Sequence, residues 1–138
     1  MGEHTFLHKI EDVYKDNLFF YKGGAGFYDA GELSAKDVSA KQHKEMAQET
    51  LNKSLELASS GDYQLVVCDE INNAVHEGLL TKKDLSSLIS KKHTDTNLCL
   101  TGRDFPESLL ENVDIATNMT KLKHHFDDKF LANKGIDY

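Results

Sequence analysis

Four consecutive apolar residues, Leu65 to Cys68, stop abruptly at the two carboxylates Asp69 and Glu70. An apolar run without polar interruption predicts a strand that is buried on both faces, and such strands are typical of parallel sheets. A second run of this kind, "NLCLTG" at 97–102, follows after a helical segment. Because parallel strands need a crossover between them, the two runs predict an α/β domain around a mostly parallel sheet. In such sheets, ligands bind at the carboxyl ends of the strands.

The residues before the first of these runs continue the alternation of strand and helix. "NLFFYK" at 17–22 predicts an early strand, and a glycine-rich loop follows it at 23–32. The spacing of Ser34 and Asp37 predicts a capping box at the start of a long helix, and Ser60-Gly61 predicts its end. The apolar positions that recur at helical spacing within it are Ala47, Leu51, Leu55 and Ala58.

Three further elements are predicted after Glu70. Thr81 and Asp84 have the spacing of a second capping box, and Pro106 suits the first turn of a later helix. "DIATNMTKL" at 114–122 predicts a last strand. The apolar face of the helix after the second capping box consists of Leu85, Leu88 and Ile89.

Length and charge limit the class of protein. A chain of 138 residues with 39% hydrophobic residues predicts one domain, 1–138, whose core needs no disulfide. The net charge of −7 argues against a general binder of nucleic acid or of anionic membranes, because both need a cationic surface. No apolar run is long enough to span a membrane and no signal-peptide core is recognisable, so we expect a cytoplasmic protein. Cys68 and Cys99 lie in apolar runs and are expected to be buried, reduced thiols.

The Asp69-Glu70 pair has the form of a Walker B motif. One carboxylate would hold Mg²⁺, which prefers hard oxygen ligands, and the other would accept a hydrogen bond or position a reactant. A structural explanation fits the motif equally well: Asp69 would cap the next helix, and Glu70 would lie in its positive first turn. The pair by itself does not decide between these explanations, because short motifs often match by chance.

The phosphate loop that accompanies a Walker B motif is not recognisable in this sequence. Such a loop needs a Gly-Lys dipeptide, and the sequence contains none. The glycine-rich stretch 23–26 is followed instead by Phe27 and Tyr28. Their rings would either pack against a flat ligand or anchor the loop to the core.

The histidines and cysteines do not predict a metal centre or a nucleophile. His4 and His8 are one helical turn apart, but no cysteine or carboxylate partners stand around them at metal spacing, so we expect a solvated helical face. His124 and His125 are adjacent, and adjacent side chains point in different directions on a helix or a strand. No Ser-His-Asp or Cys-His set is recognisable.

Three segments together resemble the bacterial ATP:corrinoid adenosyltransferases of the P-loop type, the cob(I)alamin adenosyltransferase family. They are "LVVCDEINNAVHEGLL", "LCLTGRDFPESLLENVDIAT" and the terminal "KHHFDDKFLANKGIDY". "GEHTFL" also resembles a short helix of that family, and "GAGF" at 24–27 resembles its glycine-phenylalanine loop. The resemblance covers essentially all 138 residues, and the tail that ends in Gly135-Ile136-Asp137-Tyr138 is its most specific part.

The resemblance implies a three-layer fold of the P-loop NTPase (RecA-like) type and an enzyme of cobalamin biosynthesis or salvage. In this family Co(I) of the corrinoid attacks the 5′ carbon of ATP, and triphosphate leaves. ATP and a corrinoid would be the substrates, magnesium would be the cofactor, and a homodimer is the expected assembly.

The resemblance also implies roles for individual residues of this sequence. Asp69 would hold magnesium, and Glu70 would support the metal or the triphosphate. Asn72 and Arg103 would lie on the nucleotide side of the pocket. The residues implied to lie against the corrin, where they would help to keep the lower ligand off cobalt, are Phe27 and Tyr28.

Two departures from the family pattern affect the expected activity. The family carries a strand, a phosphate loop, a helix and a second strand before the point that matches Met1, so the sequence resembles the family without its first strand and phosphate loop. Asp29 also stands where the family has an apolar aromatic residue, and Lys129 stands in place of a glycine. We expect the 138 residues by themselves to be a poor adenosyltransferase, because the backbone amides and lysine that hold the phosphates are missing.

Two alternatives remain open at this point. The first is a degenerate paralogue that binds a corrinoid or a partner protein without catalysis, which the missing phosphate loop and Asp29 favour. The second is a structural module without a ligand, whose exposed sheet edge pairs with another chain.

Overall fold

The computed structural model describes residues 2–24 and 38–130 of the chain. They belong to two compact units: a terminal unit of Met1–Lys22 with Thr117–Tyr138, and a central unit of Gly23–Ala116. Several residues with predicted roles lie outside the described ranges: Phe27, Tyr28, Asp29, Ser34, Asp37 and the last residues of the tail, 131–138.

The central unit is built around a two-stranded parallel sheet. Strand β1 is Leu65–Cys68 and strand β2 is Asn97–Leu100, and Cys68 is the partner of Leu100 in the ladder. The chain passes from one strand to the other through helices, as a parallel pair requires. The predicted α/β class and parallel pairing are therefore confirmed for these two strands.

The two other segments with strand-like composition, 17–22 and 114–122, do not form strands. Their apolar residues suggested a ladder, but β-propensity is expressed only where a neighbouring strand pairs with the segment. Both segments are irregular instead, and the strand predictions there are wrong.

Capping side chains set the starts of the two longer helices of the central unit. Helix α2, Ala40–Ser60, begins after Ser39, whose hydroxyl accepts a hydrogen bond from the Gln42 backbone N–H at 3.2 Å. It ends at Gly61, whose φ of 79° confirms the predicted helix end. Helix α4, Lys82–Lys91, begins at the predicted capping box, where the Thr81 N–H donates to Asp84 Oδ2 at 2.8 Å.

Two shorter elements complete the central unit. Helix α3, Ile71–His76, follows β1 directly, and a 3₁₀ helix, Glu107–Asn112, follows β2. Pro106 is the buried N-cap residue of that 3₁₀ helix rather than a residue of its first turn. Its position confirms that a helix begins there, although the helix is of the tighter type.

The core lies on one face of the sheet, the face of Val66 and Cys68. Most of the other core residues belong to α2 and α4, at positions that the helical spacing predicted to be apolar. Ala47, Leu55 and Ile89 are partly buried and pack against this core. The buried members of the cluster are Leu51, Ala58, Val66, Cys68, Ile71, Leu80, Leu85, Leu88 and Leu109.

The opposite face of the sheet is exposed. Leu65 and Val67 retain 58% and 54% of their accessible surface, and Cys99 on β2 is exposed as well. The expectation that Cys99 is buried is therefore wrong, because side chains alternate between the two faces of a strand and only one face meets the core. Among the described residues of the central unit, helices pack on the face of Val66 and Cys68, so the third layer stays a prediction.

The terminal unit contains helix α1, Gly2–Tyr14, and the segment that follows it. His4 and His8 contact the ring of Phe20, with centroid distances of 5.5 Å and 5.1 Å. The Glu11 carboxylate accepts a hydrogen bond from the Phe20 N–H at 3.1 Å. His8 keeps 61% of its side-chain surface exposed, as expected for a solvated face, and both histidines also pack against Phe20.

The tail contributes a 3₁₀ helix, His125–Asp128, to the terminal unit. The His124 and His125 rings stack, with a centroid distance of 4.6 Å. A hydrogen bond from Lys121 to Asp127, 2.7 Å long, lowers the pKa of that carboxyl. In the described part of the chain, no three His, Cys, Asp or Glu side chains are grouped to hold a metal ion, and no helix is long and apolar enough to cross a membrane.

The burial of one sheet face and exposure of the other can be tested by truncating one leucine from each environment. Leu88 is fully buried, so Leu88→Ala is expected to lower the free energy of unfolding by about 3 kcal/mol. Leu65→Ala, on the exposed face, is expected to cost less than about 1 kcal/mol. Urea denaturation of both variants provides the measurement, and equal losses would contradict the one-sided core.

Candidate active site

Polar residues gather where β1 and β2 end. Because the two strands are parallel and in register, the residues that follow them lie at the same edge of the sheet. We call this group the strand-end cluster. Its members are Asp69, Glu70, Asn72, Asn73, Thr101, Gly102 and Arg103.

Thr101 connects the two acids to the end of β2. The Thr101 N–H donates to the Cys68 carbonyl at 3.2 Å, which extends the ladder one residue past β2 and places Thr101 beside Asp69. The Thr101 hydroxyl donates to Asp69 Oδ1 at 2.7 Å and accepts from the Glu70 backbone N–H at 2.9 Å. One side chain therefore holds both acidic residues.

Glu70 has a left-handed backbone, with φ 60° and ψ 16°, at the N-cap position of α3. This conformation costs a residue other than glycine of order 1 kcal/mol and is concentrated at functional sites. The Glu70 side chain does not cap α3, and the Asp69 carboxylate is bonded to Thr101. The structural explanation of the pair, in which Asp69 caps the helix, is therefore wrong.

The Asn73 side chain connects the Glu70 carboxylate to the loop after β2. Its amide nitrogen donates to Glu70 Oε2, and its amide oxygen accepts from the Arg103 backbone N–H at 2.7 Å. Gly102 lies between the segments that follow β1 and β2, and its φ is 119°. A Cβ atom there would lie 2.8 Å from Asn73 Oδ1 and 3.0 Å from Asn72 Cβ, so only glycine permits this close approach.

Asn72 is a buried member of the strand-end cluster. Its backbone N–H donates to the Thr101 carbonyl at 3.1 Å, and its side chain is 3% exposed. Among the described residues, Asn72 Oδ1 is a buried side-chain oxygen that accepts no hydrogen bond. A buried acceptor without a donor typically costs about 1–3 kcal/mol, so this oxygen is available to accept a hydrogen bond from a bound group or a water molecule.

Arg103 is the only arginine in the sequence, and its side chain is exposed at the cluster. Within the described ranges its guanidinium forms no ion pair, whereas the neighbouring Asp104 lies 3.0 Å from His76 Nδ1. That contact ties the loop after β2 to the end of α3. A guanidinium offers a planar set of donors that matches the oxygens of a phosphate.

The chemistry available at the cluster is that of two carboxylates and a cation. Burial raises the pKa of the Cys68 thiol, so the thiol just before Asp69 stays protonated and is not a nucleophile at neutral pH. The groups with oxygen donors for a hard cation are Asp69 and Glu70. Magnesium is typically held by one or two carboxylates together with substrate phosphates, and this donor set fits that pattern.

The structure brings together four of the six residues predicted for the site: Asp69, Glu70, Asn72 and Arg103 all belong to the cluster, while Phe27 and Tyr28 lie outside the described residues. Sequence reasoning did not select Thr101 or Asn73 as site residues. Thr101 had a usable signal, because it follows an apolar strand in the way that Asp69 does. Asn73 had none, because its role depends on the turn that brings Arg103 to it.

Comparison with known proteins adds independent information. A family model described as ATP:corrinoid adenosyltransferase BtuR/CobO/CobP matches residues 1–138. A corrinoid adenosyltransferase of Sinorhizobium sp is 29% identical over 130 residues, which are 94% of this chain and 58% of the relative. A corrinoid adenosyltransferase of Pseudomonas aeruginosa is 24% identical over 137 residues, 99% of this chain and 63% of the relative. The chain therefore spans less than two thirds of the length of these two relatives.

The close approach at Gly102 predicts a site-specific intolerance to a methyl group. Gly102→Ala is expected to lower the free energy of unfolding by about 2–3 kcal/mol, because it combines an unfavourable φ with contact against Asn72 and Asn73. The matched control is Gly78→Ala, where φ is also positive but no atom lies within 4 Å, and we expect a loss of about 1 kcal/mol there. Urea denaturation measures both, and equal losses would contradict the packing described at Gly102.

Proposed function

The chain belongs to the ATP:corrinoid adenosyltransferase BtuR/CobO/CobP family, and we propose that its strand-end cluster serves the transfer of the 5′-deoxyadenosyl group from ATP to the cobalt of a corrinoid. In this reaction Co(I) donates an electron pair to the 5′ carbon, the bond from that carbon to the triphosphate oxygen breaks, and triphosphate leaves with the bonding pair. Cobalt is oxidised from Co(I) to Co(III) as the cobalt–carbon bond forms. The observation that carries the proposal is the pair of acids held by Thr101 at the carboxyl ends of parallel strands.

Asp69 and Glu70 are proposed to hold magnesium with the triphosphate. When bound, the ion supplies positive charge that stabilises the departing triphosphate. Asp69 would contribute an oxygen ligand, and Glu70, held by Asn73, would support the metal or the phosphates. Arg103 would bind phosphate oxygens, because its guanidinium is exposed at the cluster and is not engaged by an acid within the described ranges.

Phe27 and Tyr28 are proposed to lie against the corrin ring. The support for this assignment is the resemblance of "GAGF" to the family's glycine-phenylalanine loop. An aromatic ring at the lower face would exclude the axial ligand, and loss of that ligand makes reduction to Co(I) easier.

Membership of the family does not imply that the 138-residue chain by itself transfers the adenosyl group efficiently. The sequence contains no Gly-Lys dipeptide, so none of its loops has the phosphate-binding pattern. We expect turnover by the 138-residue chain to fall far below that of the longer relatives. Asp29, in place of the family's apolar aromatic residue, favours a second candidate function, a paralogue that binds a corrinoid or a partner protein without catalysis.

A cytoplasmic location and a homodimer complete the proposal. Both rest on the family resemblance, and sedimentation equilibrium at micromolar concentration tests the dimer. A monomeric mass at all concentrations would contradict it.

The test of the proposed function is a titration of the protein with cob(II)alamin, with and without MgATP, followed by absorbance and EPR. We expect an ATP-dependent shift toward a four-coordinate cobalt signal, because that shift requires both substrates to bind. Asp69→Asn should remove the dependence on ATP, whereas Asp62→Asn, which removes an equal charge from an exposed residue outside the cluster, should not.

Three other results of the titration would contradict this expectation. Corrinoid binding that ignores ATP in the wild-type protein would favour the paralogue without catalysis. No binding of the corrinoid would contradict the adenosyl transfer and would leave the paralogue only as a binder of a partner protein. A signal that Asp69→Asn and Asp62→Asn affect equally would contradict the role of the strand-end cluster.

Asn72 gives a prediction in which stability and ligand affinity change in opposite directions. Asn72→Leu replaces the unpaired acceptor with an apolar side chain of similar size, so we expect the free energy of unfolding to rise by about 1 kcal/mol. If Asn72 serves the nucleotide, the affinity for MgATP should fall in the same variant. Thermal denaturation and calorimetric titration with MgATP provide the two measurements.

The control for Asn72 is Asn97→Leu, at the opposite end of β2. The Asn97 amide is exposed and already donates to the Gln64 carbonyl at 3.0 Å, so this variant should gain no stability and bind MgATP as the wild type does. A stabilised Asn72→Leu with unchanged affinity for MgATP would refute the nucleotide role of Asn72.

A further inference from the structure

We propose that Thr101 is a positioning residue that orients the Asp69 carboxylate for magnesium, an inference that rests on the function proposed above. Nothing in the sequence motif assigns a role to Thr101, which follows β2 whereas the two acids follow β1, and which is 32 residues from Asp69 in the chain. Its effect on Asp69 depends on where its single hydroxyl hydrogen is directed.

The Thr101 hydroxyl is fixed from two sides. A hydroxyl has one hydrogen and two lone pairs. The Glu70 N–H donates to one lone pair at 2.9 Å, and the hydrogen is directed to Asp69 Oδ1 at 2.7 Å. The hydroxyl therefore cannot turn toward another acceptor without breaking the contact with Asp69.

The backbone of Thr101 is fixed as well. Its N–H donates to the Cys68 carbonyl, and its carbonyl accepts from the Asn72 N–H at 3.1 Å. A β-branched side chain on such a backbone has few rotamers, so the hydroxyl is held at a defined position relative to β1. The orientation of Asp69 is thereby set by the sheet rather than by the exposed loop.

The consequence for the metal concerns which oxygen Asp69 presents. Thr101 engages Oδ1, and Oδ2 accepts no hydrogen bond among the described residues. Asp69 is exposed, so this second oxygen is available to a ligand from solvent. A carboxylate with one oxygen held by the protein presents the other as a single ligand, which suits the octahedral geometry of Mg²⁺. Residues that orient a metal ligand in this way typically contribute 10–100-fold to metal affinity.

The experiment measures Mn²⁺, a spectroscopic probe for Mg²⁺, by the EPR signal of the free ion during titration of the full chain. Thr101→Val keeps the shape of the side chain and removes the hydroxyl, and we expect Mn²⁺ to bind about 10-fold more weakly or worse. Thr101→Ser restores the hydroxyl and should bind within about 3-fold of the wild type. Thr101→Ala is the second variant without a hydroxyl, used in case the added methyl of valine disturbs folding.

Thr96→Val is the matched control for a purely structural effect. Thr96 is a buried residue at the other end of the strands, and its hydroxyl donates to the Tyr63 carbonyl at 2.8 Å. Its loss should lower the melting temperature at least as much as Thr101→Val does and leave the Mn²⁺ affinity unchanged. Asp69→Asn serves as the reference for loss of the ligand itself.

The pattern of results separates this inference from the proposed function. If Asp69→Asn weakens Mn²⁺ binding and Thr101→Val and Thr101→Ala do not, Thr101 is not a positioning residue, and the role of Asp69 stands. If Thr101→Ser binds as weakly as Thr101→Val, the hydroxyl is not the cause and the inference is overturned. If the wild type does not bind Mn²⁺, or Asp69→Asn binds it normally, the magnesium role of Asp69 is wrong and the inference is overturned with it.

Discussion

The backbone ladder between β1 and β2 is the interaction on which the candidate site depends. It sets Cys68 opposite Leu100, and one further bond, from the Thr101 N–H to the Cys68 carbonyl, carries the register past the strands. Residues 32 positions apart in the chain thereby come within hydrogen-bonding distance. A shift of the register by one residue would move Thr101 away from Asp69 and turn the buried side chains to the opposite face.

Unfavourable backbone conformations and an unpaired polar group are concentrated where this ladder ends. Glu70 has a left-handed backbone, and Gly102 has a φ that other residues avoid. The buried side-chain oxygen of Asn72 accepts no hydrogen bond from the residues that the structure describes. The rest of the central unit follows the opposite rule, with capped helices and a core of apolar side chains on one sheet face. Such a distribution is expected where a scaffold supports a binding site, because strained or unpaired groups persist only where the surrounding structure holds them.

Much of the scaffold could be predicted from local patterns. Thr81 with Asp84 and the end of α2 at Gly61 were correct, because caps and helix ends depend on residues that are neighbours in the sequence. The segment 17–22 had the composition of a strand but forms none, and Cys99 lay in an apolar run but is exposed. Both errors have one cause: strand pairing and the covering of a sheet face depend on distant parts of the chain.

The sequence by itself determined the chemistry that this protein carries: an acidic pair after an apolar strand, the single arginine after a second one, and a pattern that places the chain in its family. Only the tertiary structure decided how these groups are held. Thr101 and Asn73 acquire their roles from hydrogen bonds that cross between strand ends. Packing also buries Asn72 Oδ1 where none of the described residues donates to it. The physical reason is that residue type fixes which bonds a side chain can form, whereas the packing of distant segments fixes which of them are formed.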